Sequence, residues 1–284
     1  MSSSDASTET AGSSRVPVSG ILLVAFFAVV MILTVLGFAV RSWRPPVASQ
    51  HGEGVDFVIN YLLITTGVVF VLGHVALGWL VWRHSQPGPS TYKPTSAKVE
   101  WLWALIPVAF MAVASEVGVL LIGQPVWHQL YGEAEHDAIE IEVVGKQFEW
   151  VVRYPGKDGE FGKTDPEEVH ETRNPLGLVE EDPAATDDII SRGVLHLPTD
   201  RMASIRLRSH DVQHSFSVPS FRVKQDLVPG TMTHTQFVPT KEGEYEIACA
   251  ELCGLGHYKM RGLAIVKTQA EFDNWLASQI GWFE

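Results

Sequence analysis

Cys249-Ala250-Glu251-Leu252-Cys253-Gly254-Leu255-Gly256-His257-Tyr258-Lys259-Met260 sets two thiols, an imidazole and a thioether within twelve residues, and Cys249 and Cys253 are the only cysteines in the chain. Cysteine sulfur, histidine nitrogen and methionine sulfur together suit copper better than any hard cation. Upstream, Arg208-Ser209-His210-Asp211-Val212-Gln213-His214-Ser215-Phe216 adds two imidazoles, His210 and His214. A disulfide is compatible with the spacing of four but leaves His257 and Met260 without a reason. A structural zinc site has no need of methionine and favours paired C-x-x-C knuckles. A mononuclear blue-copper site takes one cysteine, two histidines and an axial methionine, so here one cysteine is left over. Two thiolates four apart can instead bridge two coppers, with His214 and His257 capping one each and Met260 and a backbone carbonyl completing the shells. The residues favour this copper pair and leave the other three arrangements open.

Short strand signals surround the loop. Val194–Leu197, Met202–Leu207, His214–Val218, Met232–Val238, Gly243–Ala248 and Gly262–Lys267 are separated by turn residues, and Ile139, Ile141 and Val143 alternate with Glu140 and Glu142. Many short strands with turn punctuation predict a sandwich or barrel. Phe272, Trp275, Leu276 and Ile280 fall at helical spacing and predict a closing amphipathic helix. Residues 155–193 are rich in Gly, Pro, Asp and Glu without periodicity. They read as a long acidic inserted loop.

Three apolar runs precede this region, at 18–40, 57–82 and 101–123. Each exceeds the roughly 20 residues that cross a hydrocarbon core. The first is longer than a signal-peptide core and has a weakly basic flank, so it reads as a retained helix. The Ser/Thr-rich residues 1–16 read as a disordered tail, residues 17–123 as a membrane anchor and 124–284 as the β domain. Arg83, Lys93 and Lys98, with no acid between 83 and 99, place the second connection on the cytoplasmic side. The β domain then lies outside. From Gln124 onward there are 27 Asp and Glu against 15 Lys and Arg, whereas residues 1–123 balance at 6 each. So acidic a domain disfavours nucleic acid as a partner and attracts a basic protein.

The chain resembles subunit II of the haem–copper oxidases, the cytochrome c oxidase family. That family's C-x-E-x-C-G-x-x-H-x-x-M loop is met at every position from Cys249 to Met260, and its D-V-x-H-S-F/W-x-V-P motif at Asp211–Pro219. Lys224-Gln225-Asp226-Leu227-Val228-Pro229-Gly230 matches a further signature. The likeness runs from about Phe57 to the C-terminal helix. It implies an N-terminal helical membrane anchor and an all-β cupredoxin-like Greek-key sandwich or barrel carrying a dinuclear copper centre, CuA. It also selects His214 over His210 as the upstream ligand.

By the same resemblance, Cys249 and Cys253 bridge the metals, and His214, His257 and Met260 are ligands. Glu251 offers copper its backbone carbonyl, and its carboxylate goes to a magnesium shared with subunit I. Glu100, opening a stretch like the family's second helix, stands at the mouth of a proton path into subunit I. From the residue alone, a helix-N-terminal acid favoured by the dipole accounts for Glu100 equally. His74 and Glu116, polar residues in apolar runs, read as packing against a neighbouring subunit. The family's G-H-Q-W-x-W patch is here Gly145-Lys146-Gln147-Phe148-Glu149-Trp150, so Phe148 replaces the tryptophan through which electrons arrive from cytochrome c while Trp150 is kept, and the resemblance implies electron entry at Trp150 and Phe148. Thr231 stands where an arginine often follows Pro-Gly, the loop at 155–193 is long, and one helix is extra.

These features imply subunit II of an aa3-type oxidase in a bacterial plasma membrane, its copper domain periplasmic. It would partner subunit I and other oxidase subunits, with cytochrome c or a membrane-fixed cytochrome as donor. No C-x-x-C-H is present in these residues, so a fused cytochrome c is not expected. A copper subunit of a nitric oxide reductase is the alternative. A copper chaperone is disfavoured by so complete a ligand set, and a quinol donor by the retention of the copper ligands.

Overall fold

The computed structural model describes residues 18–40, 44–85, 94–133 and 136–284. The tail at 1–16 and Lys93 of the basic connection lie outside the described residues. The chain divides into two compact units.

The first unit contains the N-terminal residues through Arg44 together with Asn60–Gly118. Its helices are α1 (Val18–Ala39), most of α2 (Gly52–His84), α3 (Ala97–Phe110) and a π-helical stretch, Met111–Val117, that runs on into α4 (Gly118–Tyr131). Three continuous helices of 22, 33 and 35 residues are long and apolar enough to cross a membrane. They are apolar around their circumference, with Leu22, Phe26, Leu72, Trp79, Trp103 and Val108 all exposed, as expected where lipid or other helices replace water. The hydroxyl of Tyr61 on α2 donates to the carbonyl of Ala114, inside the π-helical stretch. The third helix continues past Gly123, through Pro125, to Tyr131, where a connecting link was expected. Trp127 and Tyr131, one turn apart, pack with ring centroids 4.5 Å apart, and Leu130 is buried.

The second unit contains Pro45–Ile59 and Val119–Glu284. The second unit thus also takes in the segment before α2 and the first two turns of that helix, besides the stretch beyond the sequence boundary at 123/124. Ala48 N donates to Ser220 O (2.9 Å), Gln50 N to Val238 O (3.0 Å) and Ser49 Oγ to Phe221 O (2.7 Å). Arg222 grips both carboxylate oxygens of Asp56, at 2.9 and 3.1 Å. His51 lies in this seam at 3% exposure. Burial lowers its pKa from 6.5 to about 4, against hydrogen bonds with the Phe221 and Arg222 backbone that raise it. Between those values the unfolded chain takes up a proton that the folded chain refuses. Stability is thus unaffected above pH 6.5 and falls as pH drops toward 4, by roughly 3 kcal/mol in all. The melting temperature of the detergent-solubilised chain is expected to decline over this window, and His51→Asn to flatten the decline; an identical pH profile in the variant would contradict this.

The β domain is two five-stranded sheets. One has the order β3-β2-β1-β5-β8, from β1 (Ile139–Lys146), β2 (Glu149–Tyr154), β3 (Ile189–Arg192), β5 (Ala203–Ser209) and β8 (Thr233–Phe237). The other has the order β4-β10-β9-β6-β7, from β4 (Val194–Pro198), β6 (His214–Val218), β7 (Val223–Leu227), β9 (Gly243–Cys249) and β10 (Arg261–Lys267). Pairing is antiparallel except β1 with β5 and β4 with β10. Ile141, Val143, Trp150, Val152, Ile205 and Leu207 from the first sheet and Phe216, Ile247 and Ala264 from the second fill the space between them. This is a cupredoxin-like all-β sandwich. Helix α6 (Gln269–Ser278) closes it, started by a capping box between Thr268 and Glu271 and anchored by buried Phe272.

The insertion at 155–193 is not a structureless loop. It supplies the edge strand β3, a 3-10 turn at Pro166–Glu168 and a helical turn, α5 (Pro183–Thr186). Leu176, Leu178 and Ala185 pack on Val144 and Val151, on the face of β1 and β2 turned away from the main core. Glu142, which alternates with the core-facing Ile141 and Val143, is consequently buried at 5% exposure.

Candidate metal centre

The ligand loop hangs between β9 and β10, and the sheet holds both its ends. Cys249, the last residue of β9, lies opposite Phe216 of β6. Its amide donates to Met260 O (3.2 Å), and Ala250 N donates to Ser215 O (2.9 Å). His214 opens β6 at 0% exposure, so the second strand brings an imidazole to the loop's base. A 3-10 turn, His257–Lys259, then returns the chain to Met260.

The side chains converge. Cys249 Sγ lies 3.8 Å from Cys253 Sγ and 3.9 Å from His214 Nδ1. Cys253 Sγ lies 3.7 Å from His257 Nδ1 and 3.8 Å from Met260 Sδ. The Glu251 carbonyl is 3.1 Å from Cys249 Sγ. Donor atoms of His214, Cys249 and Cys253 all lie within 4.8 Å of one another. A disulfide needs sulfurs about 2.05 Å apart, and both cysteines here are free. Burial, then the hydrogen bond and charge of Cys249, push the Cys253 thiol up to about 11. The Cys253 thiol therefore holds its proton until a cation makes the thiolate favourable. The soft donors, their closeness and their burial fit a copper pair (Cys253 and Met260 are 2% and 1% exposed).

Two side chains outside the ligand set attach to it. His214 Nε2 lies 2.8 Å from Asp211 Oδ1. Burial would raise the Asp211 pKa, but hydrogen bonds from His214, Gln147 and Val212 outweigh it and hold the carboxyl below its ordinary range. Gln147 Nε2 donates to the Cys253 carbonyl, and Gln147 N to Asp211 Oδ2 at 2.8 Å. Sequence reading assigned neither residue a role. Their positions, three before His214 and one before Phe148, were the available signal.

Phe148 is 38% exposed. Its ring lies over Gly254 and Gly256; a Cβ on Gly256 would meet Phe148 Cδ2 at 2.5 Å. Gly254 has φ +131°, a conformation glycine alone adopts readily. Trp150 is fully buried, its ring edge-on to those of His214 (6.2 Å) and Phe216 (5.9 Å). It is out of a partner protein's reach, so of the two aromatic residues singled out for receiving electrons only Phe148 meets solvent. Glu100 lies in the first turn of α3, accepting a hydrogen bond from Thr95 Oγ1 at 2.6 Å.

Residues 139–268 match the family model described as "Cytochrome C oxidase subunit II, periplasmic domain". The alternative cytochrome c oxidase subunit 2 of Bradyrhizobium diazoefficiens is 38% identical over 243 residues, covering 84% of this chain and 84% of that protein. Cytochrome c oxidase subunit 2 of Synechocystis sp. is 27% identical over 307 residues, covering 92% and 83%. The crystal structure of the periplasmic domain of subunit II of cytochrome oxidase of Bradyrhizobium japonicum aligns at 27% identity over 51% of this chain and 96% of that one, with a TM-score of 0.37. Likeness to the Bradyrhizobium diazoefficiens subunit extends over most of both proteins and well beyond the copper loop: the chain belongs to the cytochrome c oxidase subunit II family.

Proposed function

We propose that this chain is the electron-accepting subunit of an aa3-type cytochrome c oxidase. Electrons from cytochrome c, or from a membrane-fixed cytochrome, would arrive at its periplasmic domain and continue to haem in subunit I, where oxygen is reduced to water as protons cross the plasma membrane. The observation that carries this is the closed set of soft donors at the base of one loop. When bound, a copper pair supplies one-electron redox chemistry.

The chain's own residues would do the rest. Cys249, Cys253, His214, His257, Met260 and the Glu251 carbonyl would hold the pair. The sheet pairing at Cys249 and His214 limits how far the shell can move between redox states. Phe148 offers the donor an exposed aromatic surface seated directly on the ligand loop, and buried Trp150 holds the His214 ring from beneath. The Glu251 carboxylate remains for a magnesium shared with subunit I, and Glu100 for proton uptake.

Copper loading of the full chain in detergent tests this reading. Two coppers per chain, a purple colour and an EPR hyperfine pattern shared over two nuclei are expected. A single copper with a mononuclear spectrum would sink the proposal.

A further inference from the structure

We infer that Asp211 is the positioning residue of the metal centre, one carboxylate that fixes both the tautomer of His214 and the place of the Gln147–Phe148 turn. The inference rests on the copper reading above. Asp211 Oδ1 faces His214 Nε2 at 2.8 Å and accepts from Val212 N at 2.7 Å; Oδ2 accepts from Gln147 N at 2.8 Å. An acceptor at Nε2 puts the ring proton there and leaves Nδ1 bare, and Nδ1 is the nitrogen turned toward Cys249. His214 is fully buried, so without Asp211 its Nε2–H would lose this acceptor, and a buried donor left unpaired is costly.

The second oxygen extends that control across the site. Gln147, held through its amide, reaches the Cys253 carbonyl with its side chain. Phe148 follows it and covers Gly254 and Gly256. The amide of His210 donates to Gly145 O at 2.9 Å, pinning Asp211's own turn to the end of β1. Asp211 thus joins three separate segments: the β1–β2 turn, the turn before β6 and, through Gln147, the ligand loop. A carboxylate behind a ligating imidazole also raises its basicity and favours the more highly charged metal state.

Asp211→Asn, Asp211→Ala and Asp211→Glu in the full chain test this. In the two variants lacking a carboxylate, copper affinity measured against a competing chelator is expected to fall roughly 10–100-fold. The reduction potential should rise and the EPR hyperfine pattern should change, with Asp211→Glu partly restoring all three. Nitrogen-15 shifts of the metal-free chain give a readout independent of copper. His214 should carry its proton on Nε2 in the parent chain and lose that preference in Asp211→Ala. Wild-type affinity and potential in Asp211→Asn, with only a salt-dependent change in the donor's KM, would make Asp211 a docking acid and overturn the inference. A parent chain protonated on Nδ1 would overturn it too. If the parent chain binds no copper pair, the functional reading fails, and the nitrogen shifts alone decide whether Asp211 orders the imidazole.

Discussion

Cys253→Ser is expected to abolish the copper pair. Cys253 is the hub of the donor set: its sulfur touches Cys249 Sγ, His257 Nδ1 and Met260 Sδ, all within 3.8 Å. Serine keeps the approximate shape but replaces a polarisable thiolate with a hard hydroxyl that does not ionise near neutrality, so one of the two bridges is lost. Cys253 itself is 2% exposed, which leaves little room for solvent to supply a substitute ligand at its position. The loss of electron delivery should exceed the roughly 10–100-fold typical of removing an outer-shell partner. Metal analysis should show no more than one copper per chain, and EPR should lose the shared hyperfine pattern. Met260→Leu makes the comparison: it preserves core volume and removes only a thioether, so copper should remain with an altered potential. Two coppers and a parent-like spectrum in Cys253→Ser would refute the bridging role.

The ligand loop was legible because its chemistry is local: four soft donors within twelve residues need no knowledge of the fold. Strands such as β6 and β9 announced themselves by turn punctuation, and α6 by apolar spacing at Phe272, Trp275 and Leu276. What escaped depended on contacts between distant segments. β7, Val223-Lys224-Gln225-Asp226-Leu227, is mostly polar and becomes a strand by pairing along β6. Ser49 lies 172 residues from the Phe221 carbonyl it bonds, so nothing local marks the segment before α2 as part of the β domain. Trp150 read with Phe148 as an electron-entry residue from the aromatic patch they share, yet alternation along β2 turns it into the core. The insertion lacked periodicity because its order comes from a buried charge cluster and a few scattered apolar contacts, those of Leu176, Leu178 and Ala185, rather than from a regular apolar face.

That cluster predicts a second large effect. Arg153 on β2 is 2% exposed, and its guanidinium meets Glu142 Oε2 (3.2 Å), Asp188 Oδ2 and the carbonyl of Gly162. Gly162 N donates back to Asp188 Oδ2 at 3.1 Å, Arg208 reaches Glu142 at 2.7 Å, and the Phe161 ring lies 5.0 Å from the Arg153 guanidinium. Gly162 leaves no room for a side chain: a Cβ there would collide with the backbone and Cβ of Ala185. Both ends of the insertion are thus fastened to one guanidinium on the sheet. Arg153→Met removes the cation and leaves the fully buried Asp188 carboxylate uncompensated, a loss of about 3–5 kcal/mol. The cost should fall first on the insertion, since β1 and β2 keep their main-core contacts through Ile141, Val143 and Val152. Proteolysis and hydrogen exchange are therefore expected to increase within residues 155–188, while the copper spectrum, set by the loop between β9 and β10, stays as in the parent chain. Adding Asp188→Leu and Glu142→Leu to Arg153→Met should recover part of the stability, because an apolar cluster of similar volume carries no desolvation cost. An insertion as protected in Arg153→Met as in the parent would show that Leu176, Leu178 and Ala185 hold it alone.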